Sequence, residues 1–190
     1  MEAESMKILA LFVLITAFLG LGAASGKVPQ KEKLRARAVI QGGPESGISG
    51  EVIFTQTDSA ITPTVRIVAR IKGLEPNSVH GFHIHENGTC SPDFAAAGGH
   101  FDPGPFGKSD PDANHPFHMG DMPNLKANSK GEAEIEAMTN RISLSPGPLS
   151  VFDSNGSSVI IHQNEDKGTT GVKDASGGAR IACGVIAKNE

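Results

Sequence analysis

Histidines are the residues of this chain most able to do chemistry, because of where they fall. The chain has seven histidines, and six of them lie in or beside two long polar connections. These six are His83, His85, His100, His115, His118 and His162. Neutral imidazole nitrogens suit copper and zinc, and an imidazole can also exchange a proton near neutral pH. The clustering therefore predicts a metal centre with several histidine ligands.

One histidine pair has a spacing that gives it a direction. In the run Gly81–His85, His83 and His85 are two residues apart on a predicted strand, which points both rings to the same face. The pattern alone is weak, and two exposed strand histidines are the alternative interpretation. His80 falls on the opposite face of a regular strand. We expect it to be structural, with a hydrogen bond in the core.

The elements that must position these residues are strands. Alternation with a period of two, bounded by Gly, Pro, Asn or Asp, predicts antiparallel strands at residues 35–40, 50–56, 65–71, 79–85, 133–137, 157–162 and 179–186. No long segment has a helical period, and 23 glycines and 12 prolines favour many turns. The fold expected is an all-β sandwich or barrel. Its two long connections, 86–123 and 163–178, are functional candidates that a metal or a disulfide could order.

Size and charge limit the possible functions. The 190 residues hold 17 Lys plus Arg against 21 Asp plus Glu, for a net charge of −4. One domain of ordinary size is expected at residues 35–190, after a flexible lead-in at 26–34. This net charge gives no general electrostatic reason to expect that the protein binds nucleic acid or an anionic membrane. Any attraction for an anion must be local.

The N-terminus predicts export. Residues 1–25 have a basic flank, an apolar stretch and small residues near a cleavage point, which is typical of a signal peptide. An uncleaved membrane anchor is the alternative, since the apolar stretch is only slightly shorter than a bilayer span. The mature domain would then lie in a periplasm, at a cell surface or outside the cell, without membrane contact unless the segment is retained. An oxidising compartment would let Cys90 and Cys183 form a disulfide, whereas a reducing cytosol would leave two thiols.

Four further motifs make a family resemblance specific. They are Gly98–Pro103, His118–Asp121, Val159–His162 and Gly178–Ile186. With the His83/His85 pair and in this order, they make residues 36–186 resemble the copper/zinc superoxide dismutases. The resemblance implies an eight-stranded Greek-key β-sandwich or flattened barrel. It also implies dismutation of superoxide to dioxygen and hydrogen peroxide by copper redox cycling.

The resemblance assigns copper ligands and the groups that serve them. Copper would be held by His83, His85, His100 and His162, with the His100 imidazole bridging to zinc and carrying a proton. One superoxide would reduce the copper and leave as dioxygen. A second superoxide would reoxidise the copper and leave as hydrogen peroxide.

Several other residues match the family's supporting groups. Arg180 matches the arginine that attracts and orients the anion, and Asp166 the aspartate that orients imidazoles on both metal sides. Cys90 and Cys183 match the family disulfide. Lys173 could be a guiding lysine or a solvated loop charge.

The zinc site departs from the family pattern. His100, His118 and Asp121 fill three of its positions, but Ser109 stands where the remaining histidine is expected. A structural zinc site prefers four ligands, so the site is weak, is completed by water, or uses a neighbour. His115 is the first candidate, and the alternative is that it is a solvent-exposed loop histidine. Asp110 and Asp112 are less favoured as substitutes.

Three functions follow from different classes of protein. The first is an exported superoxide dismutase that uses copper and zinc. The second is a non-catalytic copper-binding or copper-delivery domain, and the third is a structural or adhesive sandwich. Since all four copper positions and Arg180 are filled, the sequence favours the enzyme, with superoxide as substrate. A homodimer is compatible with the resemblance, but the motifs leave the oligomeric state open.

Overall fold

The fold is built almost entirely from strands. The structure is a computed structural model that describes residues 34–57, 63–103 and 115–189. A short 3₁₀ helix spans Phe94–Ala97. The strands in the described residues are β1 Arg35–Gly42, β2 Ser49–Thr57, β3 Thr64–Lys72, β4 Val79–His80, β5 Phe82–His85, β6 Leu125–Lys126, β7 Ala133–Thr139, β8 Ser158–His162 and β9 Arg180–Lys188. The predicted all-β class is confirmed.

Seven strands form one antiparallel sheet in the order β5-β8-β9-β1-β2-β3-β7, and β4 pairs with β6 in a second, two-stranded sheet. Alternate residues of β1, from Ala36 to Ile40, are fully buried while their neighbours are exposed. Apolar residues from β1, β2, β3, β5, β8 and β9 share one buried cluster. The sheet therefore curls around a common core, and β5 and β8 lie at one end of it.

The predicted strands are present, with one difference of substance. The run 79–85 is not continuous, because the chain leaves one sheet and enters the other at Gly81. A Cβ atom at Gly81 would lie 2.8 Å from the Ser176 carbonyl oxygen, so the close approach requires glycine. The two-residue strand β6 was not predicted, since two residues show no period. The eight-strand count and the Greek-key arrangement stay predictions.

Part of the long connection after β5 packs beside β5 like a further strand. Single bridges join His83 to Asp121 and His85 to His100. The Ile84 amide donates to the Gly120 carbonyl at 2.9 Å, and the Ile84 carbonyl accepts from Phe101 at 2.9 Å. This segment therefore covers the outer edge of β5 and brings His100 and Asp121 beside it.

The predicted signal peptide at 1–25 lies outside the described residues, as does the predicted lead-in up to residue 33. Both stay predictions. Among the described residues, no helix has the length and apolar character needed to span a membrane.

Candidate metal centre

Four histidines meet at one end of the sheet, and we call them the four-histidine cluster: His83, His85, His100 and His162. His83 and His85 lie on β5, His162 ends the neighbouring strand β8, and His100 lies in the segment bridged to β5. One ring nitrogen from each lies within 4.8 Å of the others. All four side chains are at most 2% exposed. The alternative of two exposed strand histidines is therefore wrong.

The cluster has the unsatisfied nitrogens that a metal requires. His83 Nδ1 and the Nε2 atoms of His85, His100 and His162 are buried without a hydrogen-bond partner. A buried polar atom left unpaired costs free energy and is rare in native proteins. Four such atoms converging at one point fit a metal ion bound by imidazoles.

The other nitrogen of each strand histidine is held by a hydrogen bond. His83 Nε2 lies 2.9 Å from Asp166 Oδ2, and His85 Nδ1 lies 3.0 Å from the Gly98 carbonyl oxygen. His162 Nδ1 lies 2.8 Å from the Gly178 carbonyl oxygen. Such contacts fix the tautomer and the ring orientation of a ligand.

Burial disfavours a positive charge on three of these histidines. It lowers the pKa of His100 to about 4 and that of His162 to about 3, and His85 has a pKa well below its ordinary value for the same reason. Neighbouring histidines lower these pKa values further, since they disfavour a second positive charge. Neutral imidazole is the form that binds metals.

A second group shares His100 and is centred on a carboxylate; we call it the Asp121 cluster: His100, His115, His118 and Asp121. Three Nδ1 atoms approach this carboxylate, at 2.6 Å for His100, 3.3 Å for His115 and 3.2 Å for His118. One potential ligand atom from each of the four residues lies within 4.8 Å of the others. Three imidazoles and one carboxylate match the ligands that zinc takes in closed sites.

His115 belongs to this group by position. Its side chain is fully buried, so the alternative of a solvent-exposed loop histidine is wrong. Its Nδ1 has no hydrogen-bond partner, and its Nε2 lies 2.6 Å from Asp166 Oδ1. Ser109, Asp110 and Asp112 lie outside the described residues.

The two carboxylates set the charge of the second cluster. Burial raises the pKa of Asp121, but contacts with three histidines outweigh this and hold it well below its ordinary value. The pKa of Asp166 is lowered in the same way by His115 and His83. Burial lowers the pKa of His115, yet contacts with both carboxylates raise it to about 9. The metal-free Asp121 cluster thus carries a proton on His115.

Arg180 begins β9 beside the four-histidine cluster and is held by backbone carbonyls. Its Nη1 donates to the Phe94 carbonyl at 2.7 Å, and its Nη2 donates to the Gly98 carbonyl at 2.6 Å. The Gly98 oxygen is the one that also contacts His85. Burial lowers the pKa of Arg180, but a guanidinium keeps its charge in proteins.

The predicted disulfide ties this region together. Cys90 and Cys183 are bonded, with Cα atoms 5.8 Å apart. The bond joins the connection that supplies the Arg180 acceptors to the strand that carries Arg180. Lys173 is exposed in the 163–178 connection, and its guiding role stays a prediction.

Sequence reasoning missed two side chains that support the clusters, Asn124 beside Asp166 and Glu86 beside His100. Asn124 Nδ2 donates to the Asp166 carbonyl at 2.9 Å, and the Asp166 amide donates back to Asn124 Oδ1 at 3.0 Å. The Glu86 carboxylate accepts from the Gly99 amide at 2.8 Å, next to His100. No local pattern in the sequence signals these contacts, because the partners lie 13 to 42 residues apart along the chain.

Comparison with known proteins decides the family. Residues 48–186 match the family model described as copper/zinc superoxide dismutase. The chain belongs to the copper/zinc superoxide dismutase family. It is an enzyme of this type, and its cofactors are copper and zinc. The resemblance seen in the sequence is thereby confirmed.

Individual relatives and a solved structure agree with this membership. The chain is 36% identical over 161 residues to an extracellular superoxide dismutase [Cu-Zn] of Onchocerca volvulus, covering 80% of this chain and 75% of that one. It is 38% identical over 158 residues to the superoxide dismutase [Cu-Zn] of Saccharomyces cerevisiae, covering 80% and 97%. The crystal structure of a double mutant of a SOD-like protein from Bacillus subtilis matches with a TM-score of 0.59 and 34% identity, covering 78% of this chain and 95% of that one.

Proposed function

We propose that this dismutase converts two superoxide anions and two protons to dioxygen and hydrogen peroxide at the four-histidine cluster. The observation that carries the proposal is the convergence of four buried ring nitrogens without hydrogen-bond partners. Copper held by these nitrogens would supply the electron exchange, since imidazole ligands suit this metal. The strands and the second hydrogen bond on each strand histidine keep the nitrogens aimed at one point.

His100 is proposed to handle a proton. It is the one residue that belongs to both clusters, with Nδ1 2.6 Å from Asp121 and Nε2 turned toward the other three histidines. The Asp121 contact fixes the ring, so that Nε2 can take up and release the proton that peroxide formation consumes. Its low pKa favours release of that proton.

Arg180 is proposed to attract and orient the anion. The chain has a net charge of −4, so a local positive group is needed to collect a negatively charged substrate. The carbonyls of Phe94 and Gly98 hold the guanidinium in place. A planar, permanently charged group in a fixed position suits a small anion better than a mobile ammonium does.

The zinc site is proposed to be completed by His115. His100, His118 and Asp121 would supply three ligands. His115 is supported as the fourth because it is buried, and its Nδ1 lies 3.3 Å from Asp121 without a hydrogen-bond partner. This set has no need of a histidine at position 109. Zinc would close the Asp121 cluster and fix the connection that carries it.

The dismutation rate tests the proposal. We expect protein loaded with copper and zinc to be active, and Arg180→Ala to retain copper while losing about tenfold to a thousandfold of the rate, the range of electrostatic steering. Arg37→Ala is the matched control, because Arg37 pairs with Glu51 on the protein surface. Full copper occupancy without turnover in the unmodified protein would favour the non-catalytic copper-binding alternative.

Export and partners belong to the same proposal. The extracellular relative from Onchocerca volvulus supports a secreted protein, and N-terminal sequencing of the protein from its host would show whether residues 1–25 are removed. Superoxide is the proposed substrate. The homodimer and the lack of a nucleic-acid partner stay predictions.

A further inference from the structure

Two ligands of the proposed zinc site lie in one short segment, which we call the ligand turn: residues 115–118. Both of its histidine carbonyls are bound by side chains from other parts of the chain. An Arg141 guanidinium nitrogen donates to the His118 carbonyl, and the Thr170 hydroxyl donates to the His115 carbonyl. We propose that Arg141 and Thr170 are positioning residues that set the zinc affinity of this dismutase. The inference rests on the proposed zinc ligands.

Arg141 reaches the ligand turn from the connection after β7. Its own amide donates to Thr139 Oγ1 at 3.0 Å, and the next residue, Ile142, is buried in the core. The base of the side chain is therefore anchored while the guanidinium extends to His118. A charged donor makes a stronger hydrogen bond than a neutral one.

The carbonyl that Arg141 binds is central to the turn. The His118 oxygen also accepts from the Asp121 amide at 3.2 Å, and the His118 amide donates to Asp121 Oδ2 at 2.9 Å. His118 and Asp121 are thus locked to each other. By fixing one carbonyl, Arg141 fixes two proposed ligands relative to β7.

Thr170 holds the other end from the 163–178 connection. This connection is already attached to the site, because Asp166 contacts the His115 ring at 2.6 Å. The Asp166 side chain also accepts from the Gly168 amide at 2.7 Å, which turns the chain back toward the ligand turn. His115 is therefore held at its ring by Asp166 and at its backbone by Thr170.

The strand histidines do not depend on these two side chains. His83 and His85 pair with Ile160 and Ser158 across β5 and β8, and the His162 amide donates to the Gly81 carbonyl at 2.8 Å. Loss of Arg141 or Thr170 should therefore loosen the Asp121 cluster while leaving the four-histidine cluster largely in place.

Metal affinities of variants test the inference. Arg141→Met removes the donors and keeps the chain length, and Thr170→Val removes the hydroxyl and keeps the shape. We expect each to weaken zinc binding, measured against a competing chelator, by about 10- to 100-fold, the range for residues that orient ligands. The visible absorption of Co²⁺ bound in place of zinc should change as well, and Thr170→Ser should restore both readouts. Copper affinity should stay within about threefold, well below that range.

Matched controls come from residues of the same type whose side chains bind other groups. Arg66→Met removes a surface pair with Glu136, and Thr169→Val removes a hydroxyl that binds the Lys167 carbonyl. Neither control should change zinc binding.

Three results would overturn the inference. Unchanged zinc affinity and Co²⁺ absorption in both variants would show that the contacts do not matter. Equal loss of zinc and copper affinity, with a lower melting temperature of the metal-free protein, would show a general structural role. If unmodified protein bound neither zinc nor Co²⁺ at this site, the proposed zinc ligands would fail first, and the inference with them.

Discussion

The two clusters share His100 but are built in different ways. Three of the four-histidine cluster's residues lie on β5 and β8, where strand pairing fixes them. In the Asp121 cluster, His115, His118 and Asp121 all lie in the long connection between β5 and β6. Side-chain contacts from distant segments hold that connection. Strands can thus prepare one site in advance, while a loop site depends on every contact that supports it.

The clusters also differ in charge. In the four-histidine cluster, burial lowers the pKa of His85, His100 and His162, so that these three are neutral near pH 7. In the Asp121 cluster, burial lowers the pKa of His115, but contacts with Asp121 and with Asp166 raise it to about 9. A metal ion therefore finds these three imidazoles already neutral, but it must displace a proton from His115 in the Asp121 cluster.

The largest effect should come from a substitution in the four-histidine cluster. His85→Ala removes one of four proposed copper ligands, and we expect the dismutation rate to fall by more than about a hundredfold, beyond the usual effect of residues that only orient a ligand. Zinc binding should persist, because His85 is not part of the Asp121 cluster. Metal analysis beside the rate measurement checks both points, and an active variant with full copper would remove His85 from the proposed site.

The next effect separates the candidates for the fourth zinc ligand. We expect His115→Ala to lose most zinc binding while keeping copper, since it removes a proposed ligand whose buried Nδ1 has no hydrogen-bond partner. Asp110→Asn and Asp112→Asn, in the same connection, should bind zinc as the unmodified protein does. Zinc titration in the presence of bound copper makes the comparison. The reverse pattern would move the ligand from His115 to an aspartate.

A smaller effect is expected at the carboxylate that joins the clusters. Asp166→Asn weakens contacts to both His83 and His115, and we expect zinc affinity to fall about 10- to 100-fold. Copper affinity should fall less, because β5 still holds His83. Glu165→Gln, an exposed neighbour, is the control. A greater loss of copper than of zinc would reverse the comparison between strand and loop sites.

The four-histidine cluster was predicted more completely from the sequence than the Asp121 cluster was, for a physical reason. Alternation located β5, β8 and β9, and two-residue spacing placed His83 and His85 on one face. Period two is a local property that survives in the folded sheet. The motifs also pointed to Arg180 and to the disulfide, which the structure contains.

The Asp121 cluster depends on contacts that no local sequence pattern indicates. His115 was only a candidate in the sequence, because its burial depends on how two connections fold against each other. The roles of Asn124, Arg141 and Thr170 were not visible at all, since each contacts a residue far away along the chain. Gly81 likewise gave no sign that the predicted strand would break there.

The smallest expected effect is the pH dependence of metal-free protein, in which His100 and His162 contribute to an acid limb and His115 produces an alkaline limb. His100 and His162 have folded pKa values of about 4 and 3, below the ordinary 6.5, so their stability contribution is complete above pH 6.5 and is lost as pH falls. His115 has a raised pKa of about 9, so its contribution is complete below pH 6.5 and is lost as pH rises toward 9.

Urea unfolding at a series of pH values measures both limbs. We expect a maximum of the unfolding free energy near pH 6.5. His115→Ala should flatten the alkaline limb between pH 6.5 and 9. An acid limb should remain, because His100 and His162 are still present. An unchanged alkaline limb would mean that the proton of the Asp121 cluster is not on His115.

The seven-stranded sheet has two ends, and they are protected differently. At β7, Glu136 and Glu134 pair with arginines of β3, at 2.6 Å from Arg66 and 2.8 Å from Arg70, and charged side chains discourage edge pairing between molecules. At β5, the connection that carries His100 and Asp121 covers the edge. An uncovered strand edge is a template for aggregation. Release of this connection would therefore expose an edge prone to aggregation as well as remove two proposed metal ligands.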